Sequence, residues 1–191
     1  NGKPLLAYSI EASLKSDVSE TWVSTDDDEI AKIAEEFGAR VLIRPDEIAS
    51  DHSTSESVLL HFADLIALDI LVFVQATCPF IEYSDVNKAL VMMGEYDSVI
   101  SVSKFDQFLW SGSDPMYDVD NRPRRQDIKQ RYVETGSMFV TGKKSLMKSK
   151  NRISGKVGFV EVPNWRSIDI DTYEDLELAR KIMSTKDEEN I

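Results

Sequence analysis

Two hydrophobic periods alternate along the chain. At the start, Leu6, Ile10 and Leu14 recur every fourth residue, and Pro4 suits a first helical turn, which predicts a helix over residues 5–14. Residues 21–25 (TWVST) read as a strand. The acidic triplet Asp26–Asp27–Asp28 then opens a helix with Ile30, Ile33, Ala34 and Phe37 on one face and Gly38 as its stop. A strand over 40–44 is closed by Pro45, and a helix is expected from about Thr54 to Ile66. Residues 70–74 (ILVFV) are apolar without alternation, as in a strand covered on both faces of a parallel sheet.

A helix capped by Ser84 runs to Met93, and a strand follows over 98–103. From Lys104 to Arg131 the pattern breaks into aromatics, Gly112, Pro115 and Pro123, which reads as an inserted flap of about residues 104–131. Strand returns over 132–140, a short helix covers 143–148, and strands cover 158–162 and 167–171. A last helix runs to about Ile182, ahead of a charged, frayed tail from Lys186. Strand–helix alternation of this kind predicts an α/β fold with a doubly wound, mostly parallel sheet. The links 67–69 and 94–95 are short enough to demand tight turns, unless residues have been dropped there.

Composition narrows the function. The chain has 191 residues, 42% hydrophobic and 29% charged, the profile of one globular domain with a proper core. A net charge of −12 argues against general nucleic-acid binding. No apolar run approaches a membrane span, and no basic-then-apolar leader is visible. Cys78 is the single cysteine, so an intrachain disulfide is excluded; with only His52 and His61 beside it, zinc is not expected, and a reducing cytoplasm is the default compartment. The positive charge is concentrated in Arg122, Arg124, Arg125, Lys129 and Arg131, which suggests a small anionic ligand.

In an open parallel sheet, ligands collect beyond the carboxyl ends of the strands. Four groups fall there: Ser24–Thr25–Asp26, Arg44 with the loop through Ser53 and Ser55, Gln75–Ala76–Thr77–Cys78–Pro79, and Asp169 with Asp171. Asp169 and Asp171, two apart on a predicted strand, would share a face and suit Mg²⁺, which takes hard oxygen ligands and is often shared with phosphates. The competing reading is a solvated turn with Asp171 or Thr172 as helix cap. Arg44 is either a ligand fork or half of a surface ion pair, and Ser53, Thr54, Ser55 and Ser57 either line a polar pocket or cap a helix.

Seven stretches, in order over nearly the whole chain, carry a resemblance: residues 2–6 (GKPLL), 23–26 (VSTD), 44–51 (RPDEIASD), 75–79 (QATCP), 122–127 (RPRRQD), 134–137 (ETGS) and 167–172 (SIDIDT). Together they resemble the acylneuraminate cytidylyltransferases, including relatives acting on legionaminic and pseudaminic acids. The resemblance implies a Rossmann-like nucleotidyltransferase fold forming a homodimer through the flap, and a reaction joining CTP to a nine-carbon 2-keto sugar acid with release of pyrophosphate.

It implies Mg²⁺ on Asp169 and Asp171, cytosine near Arg44, Ser53 and Ser55, and the sugar acid near Gln75, Thr77, Arg125 and Phe139. Gln75 counts with the two aspartates in the catalytic set. It also implies a strand and a basic glycine-bearing phosphate loop, which would stand ahead of Asn1. A cytidylyltransferase for Kdo or its 8-amino analogue is the alternative enzyme. A non-catalytic nucleotide-binding relative and a metal-dependent glycosyltransferase rank below it.

Overall fold

The structure is a computed structural model, and it describes the backbone of residues 2–189 and side chains to residue 185. Helix α1 (Leu5–Leu14) comes first, followed by the parallel pair β1 (Trp22–Thr25) and β2 (Arg40–Ile43) around α2 (Asp28–Glu36). Next are α3 (Ser55–Leu65), β3 (Ile70–Val74), α4 (Tyr83–Met92) and β4 (Ser98–Phe105). A hairpin, β5 (Trp110–Ser111) and β6 (Asp114–Pro115), leads to β7 (Arg131–Gly142), α5 (Lys143–Ser149), β8 (Val157–Glu161) and α6 (Tyr173–Glu189).

The α/β class is as expected, but the main sheet is mixed. Its order is β3-β7-β4-β8, with β7 antiparallel to both neighbours and β4 parallel to β8. The chain reaches β7 by returning from the flap, so no helical crossover reverses its direction. Among the described residues, β1 and β2 form a separate sheet.

Strand β3 has an apolar layer on each face despite its antiparallel partner. Val72 and Val74 pack on one cluster with Val99, Met138 and Val140, while Leu71 and Phe73 pack on another with Leu59 and Leu146. Helix α1 departs from its expected stripe: Ala7, Ser9, Ile10 and Ala12 are buried, whereas Leu14 is 48% exposed. The first of the short links joins α3 to β3 over residues 66–69, without a turn. The second is made by Gly94, Glu95 and Tyr96, whose N–H groups bond back to Val91 and Met92.

Three further expectations are corrected. Helix α4 starts from Glu82, not Ser84, because the Asp85 carboxylate accepts the Glu82 N–H and closes the first turn. The last helix continues past Ile182 to Glu189, so the backbone at 186–189 is helical rather than a frayed tail; residues 190–191 lie outside the described ones. Residues 167–171 form no strand: they run as an irregular loop from a 3-10 turn (Asn164–Arg166) into α6. The N–H groups of Ser167 and Ile170 donate to loop carbonyls and that of Asp171 to a side chain, none of them to a neighbouring strand.

Candidate active site

The site is built where two loops dock side by side. One leaves β3 through Gln75, Thr77 and Cys78; the other carries Asp169 and Asp171 into α6. The Ile170 N–H donates to the Thr77 carbonyl at 3.0 Å. Three hydrogen bonds hold the Gln75 backbone: its N–H donates to the Ser137 carbonyl, its own carbonyl accepts the Ser9 hydroxyl at 3.0 Å, and the same carbonyl accepts the Cys78 N–H.

The Asp169 carboxylate lies near enough to the Cys78 thiol to act on it, and Asp171 acts on it by charge. Burial, then the Asp169 carboxylate, pushes the Cys78 thiol up to about 12, so it stays protonated and is no nucleophile. Both aspartates thus lie on the loop that docks against residues 75–78, on a loop rather than on a strand face.

Asp169 Oδ1 is buried and has no hydrogen-bond partner. An orphaned carboxylate oxygen inside a protein is costly unless something else pairs with it. A hard cation would fit that donor; Asp171, two residues on, is exposed. No group of three or more His, Cys, Asp or Glu that could hold a metal occurs among the described residues. A two-carboxylate set of this kind suits Mg²⁺ completed by water and substrate phosphate.

Thr172 and Asp175 shape the second carboxylate's end. Asp175 Oδ2 accepts from the Thr172 N–H at 2.9 Å, the Thr172 hydroxyl at 2.7 Å and the Asp171 N–H at 3.3 Å, while the Asp175 N–H returns to Thr172 Oγ1. These bonds, led by the Thr172 hydroxyl, hold Asp175 below the usual carboxylate range. Thr172 is thus the helix cap, which frees Asp171. The Thr172-x-x-Asp175 spacing is a capping-box signature that could have shown this from sequence.

A bulge lies behind the aspartates. The β4–β7 register jumps between Ile100↔Phe139 and Val102↔Glu134, so Ser101 alone faces residues 135–138. The hydroxyls of Ser101, Thr135 and Ser137 lie 2.7–2.9 Å from one another and fill the gap. Gly136 sits in the bulge at φ 72°, where a Cβ would come 3.7 Å from Asp169 Oδ2. Alternating small hydroxyl residues around a glycine were the available signal for this bulge.

The other sequence candidates occupy separate positions. Arg44 pairs with Asp26 at 3.0 Å beyond the ends of β1 and β2, and its Nε is buried without a partner. The Ser53 hydroxyl bonds Ser50 within its own loop, and Ser55 is the first residue of α3, whose cap is Thr54. Phe139 is 1% exposed, packed on Phe73 with Arg152 over its ring at 4.4 Å. Arg125 is exposed in the flap, outside a cavity of about 260 Å³ lined by residues including Phe108, Tyr117, Ile128 and Arg131.

The fold is a mixed α/β sheet with its candidate site on the loops after β3 and before α6, and comparison with known proteins gives the family. The sequence profile described as Cytidylyltransferase matches residues 1–186, and the chain belongs to that family. It is 32% identical to N-acylneuraminate cytidylyltransferase B of Danio rerio, over 94% of this chain and 45% of the relative. Pseudaminic acid cytidylyltransferase of Campylobacter jejuni is 24% identical, over 94% of this chain and 84% of that one.

The chain spans less than half the length of the N-acylneuraminate cytidylyltransferases it matches. Among solved structures, a CMP:2-keto-3-deoxy-manno-octonic acid synthetase complexed with CTP superposes with a TM-score of 0.74 at 18% identity, covering 97% of this chain and 89% of that one. A 4-diphosphocytidyl-2C-methyl-D-erythritol synthase from Anaerococcus prevotii gives 0.73 at 15%, covering 96% and 87%. At these identities the likeness is one of fold.

Proposed function

We propose that this protein is a cytidylyltransferase that joins CTP to a nine-carbon 2-keto sugar acid of the sialic acid type. The observation that carries the reading is the buried, unpartnered Asp169 oxygen beside Asp171, in a chain of this family. The sugar assignment is supported by the names of the relatives, which refer to N-acylneuraminate or pseudaminic acid.

In the proposed reaction the sugar's anomeric hydroxyl attacks the α-phosphorus of CTP and gives up its proton to water. A new P–O bond forms, the bond to the β-phosphate breaks, and pyrophosphate leaves. Asp169 and Asp171 would hold Mg²⁺; when bound, that ion neutralises developing phosphate charge. Gln75, pinned at its backbone, orients the sugar; as an amide it can donate and accept but cannot remove a proton. Thr77 lies beside it as a second polar contact. Arg44, with Ser53 and Ser55 nearby in sequence, would read the cytosine, and Arg125 would reach the sugar carboxylate from the flap. Phe139 would act from behind the sugar pocket, as part of its packed wall.

One structural reading belongs with this proposal. The flap would pack on a second copy, supported by Trp110, Met116 and Val119 at 53%, 53% and 55% exposure. No helix among the described residues is long and apolar enough to cross a membrane. The lone Cys78 suits a cytoplasmic setting.

The test is pyrophosphate release by the full-length protein with CTP, Mg²⁺ and a panel of sialic, legionaminic, pseudaminic and Kdo acids. Release with a nine-carbon acid is expected. Release with Kdo alone, or with none, overturns the substrate assignment.

A further inference from the structure

The acidic loop is anchored by a residue that carries no substrate role in the reading above. Arg166 is 8% exposed, although an arginine at that depth is uncommon. Its Nε–H donates to the Phe80 carbonyl at 3.0 Å, and its terminal nitrogens pair with Asp85, itself 1% exposed, and with Glu82 at 3.2 Å. Asp85 also closes the first turn of α4 through the Glu82 N–H. The neighbouring Trp165 ring meets Phe80 edge-on at 5.5 Å.

These contacts form an ordered series. Arg166 meets residues 80–85, Asp169 meets Cys78, and Ile170 meets Thr77. The loop steps forward along its own sequence as it steps back along the other. Arg166 and Ile170 clamp its two ends, and Asp169 lies between them. A stretch of four residue steps extends at most about 14 Å, so two fixed ends leave the carboxylate little slack.

We propose that Arg166 is a positioning residue: its anchorage on Phe80, Glu82 and Asp85 sets where the Asp169 carboxylate points. This rests on the reading that Asp169 and Asp171 hold the metal, and it assigns a cause to their geometry. A planar guanidinium meets its three acceptors through nitrogens spread over a rigid fork, whereas an ammonium offers its three donors from one point on a flexible stem. Arg166→Lys should therefore keep charge but lose the orientation.

The experiment uses the full-length protein with two variants, Arg166→Lys and Asp85→Asn. The second guards against the first failing to fold. Three measurements are made on each: exchange of the Ile170 amide without metal, Mn²⁺ binding in the presence of CTP by electron paramagnetic resonance, and the Mg²⁺ concentration giving half-maximal pyrophosphate release. The expected result is Ile170 exchange at least about tenfold faster than wild type, and metal half-saturation raised about tenfold or more, in the range seen when outer-shell partners of metal ligands are removed. KM for CTP at saturating metal should stay within about twofold, and the effect of Arg166→Lys should exceed that of Asp85→Asn.

A merely structural role would lower the folded fraction and leave the metal dependence of the folded molecules unchanged. Folded variants with wild-type Ile170 exchange and wild-type metal half-saturation overturn the proposal. Asp169→Asn separates the two levels. If it leaves Mn²⁺ binding intact, the metal reading fails and the proposal fails with it. If it abolishes binding while the Arg166 variants bind normally, only the positioning role fails.

Discussion

Ile170 and Thr77 are joined by one backbone hydrogen bond of 3.0 Å, and that bond brings a loop from the middle of the chain against one near its end. Asp169 and Asp171 flank Ile170, so both carboxylates inherit their position from it. Their environments differ, however. Asp169 is partly buried with an unpartnered oxygen, and Asp171 is exposed.

That difference predicts unequal effects. Asp169→Asn should lower kcat by about 10²-fold or more, since a ligand in a partly dry site contributes several kcal/mol. Asp171→Asn should mainly raise the Mg²⁺ requirement, with a smaller loss of kcat. Melting temperatures of both should stay close to wild type. Pyrophosphate-release kinetics against Mg²⁺ concentration check this, and equal losses at both positions would contradict it.

Gly136 gives a prediction about backbone rather than contact. A Cβ there would meet Asp169 Oδ2 at 3.7 Å, ordinary contact distance, but φ is 72°. Gly136→Ala should therefore cost about 1–2 kcal/mol through the left-handed conformation alone. That corresponds to a melting temperature lower by a few degrees for a chain of this size. Gly136→Asn should cost less, because Asn tolerates that region better. Thermal unfolding of the two variants decides it; the same loss in both would point to crowding instead.

Much of this fold is legible because apolar periodicity reports local structure. The ILVFV run at 70–74 shows a strand with two apolar faces, and the Gly and Pro interruptions mark the flap. Strand direction is not legible: nothing in residues 131–142 tells β7 to run antiparallel, since that follows from where the flap returns the chain. The aspartate loop reads as a strand because Ile168 and Ile170 alternate with carboxylates, while its partners, Thr77 and Arg166, come from distant or uncharacteristic positions. The Asp pair, Gln75 and Thr77 are legible as a group. Arg166 is not, because an isolated arginine in sequence carries no sign of burial.

Arg44 separates binding from stability. Its pair with Asp26 is partly exposed, at 24% and 41%, and pairs of that kind contribute about 0–1 kcal/mol. Arg44→Ala should shift the melting temperature very little. If Arg44 reads the base, the same variant should raise KM for CTP about tenfold and leave KM for the sugar acid unchanged. Asp26→Ala should leave the stability equally close to wild type. Steady-state kinetics with each substrate varied in turn makes the distinction, and an unchanged KM for CTP would remove Arg44 from the nucleotide site.

Cys78 yields a pH dependence with a definite sign. Burial first, and the Asp169 carboxylate second, raise its thiol from 9.0 to about 12 in the folded chain. The folded state thus holds this proton more tightly than the unfolded state. Its contribution is fully present below pH 9 and is lost as pH rises from there through about 12. Native protein without metal should resist thiol-alkylating reagents at about pH 8, whereas denatured protein should react fully. Cys78→Ser should remove part of the alkaline loss of stability above pH 9 and leave the neutral range little changed. Reagent uptake with and without denaturant, together with melting temperatures of wild type and Cys78→Ser from about pH 8 to about 11, measures both effects. Rapid labelling of the native thiol at the lower of these pH values would mean that Cys78 is neither buried nor held protonated by its neighbours.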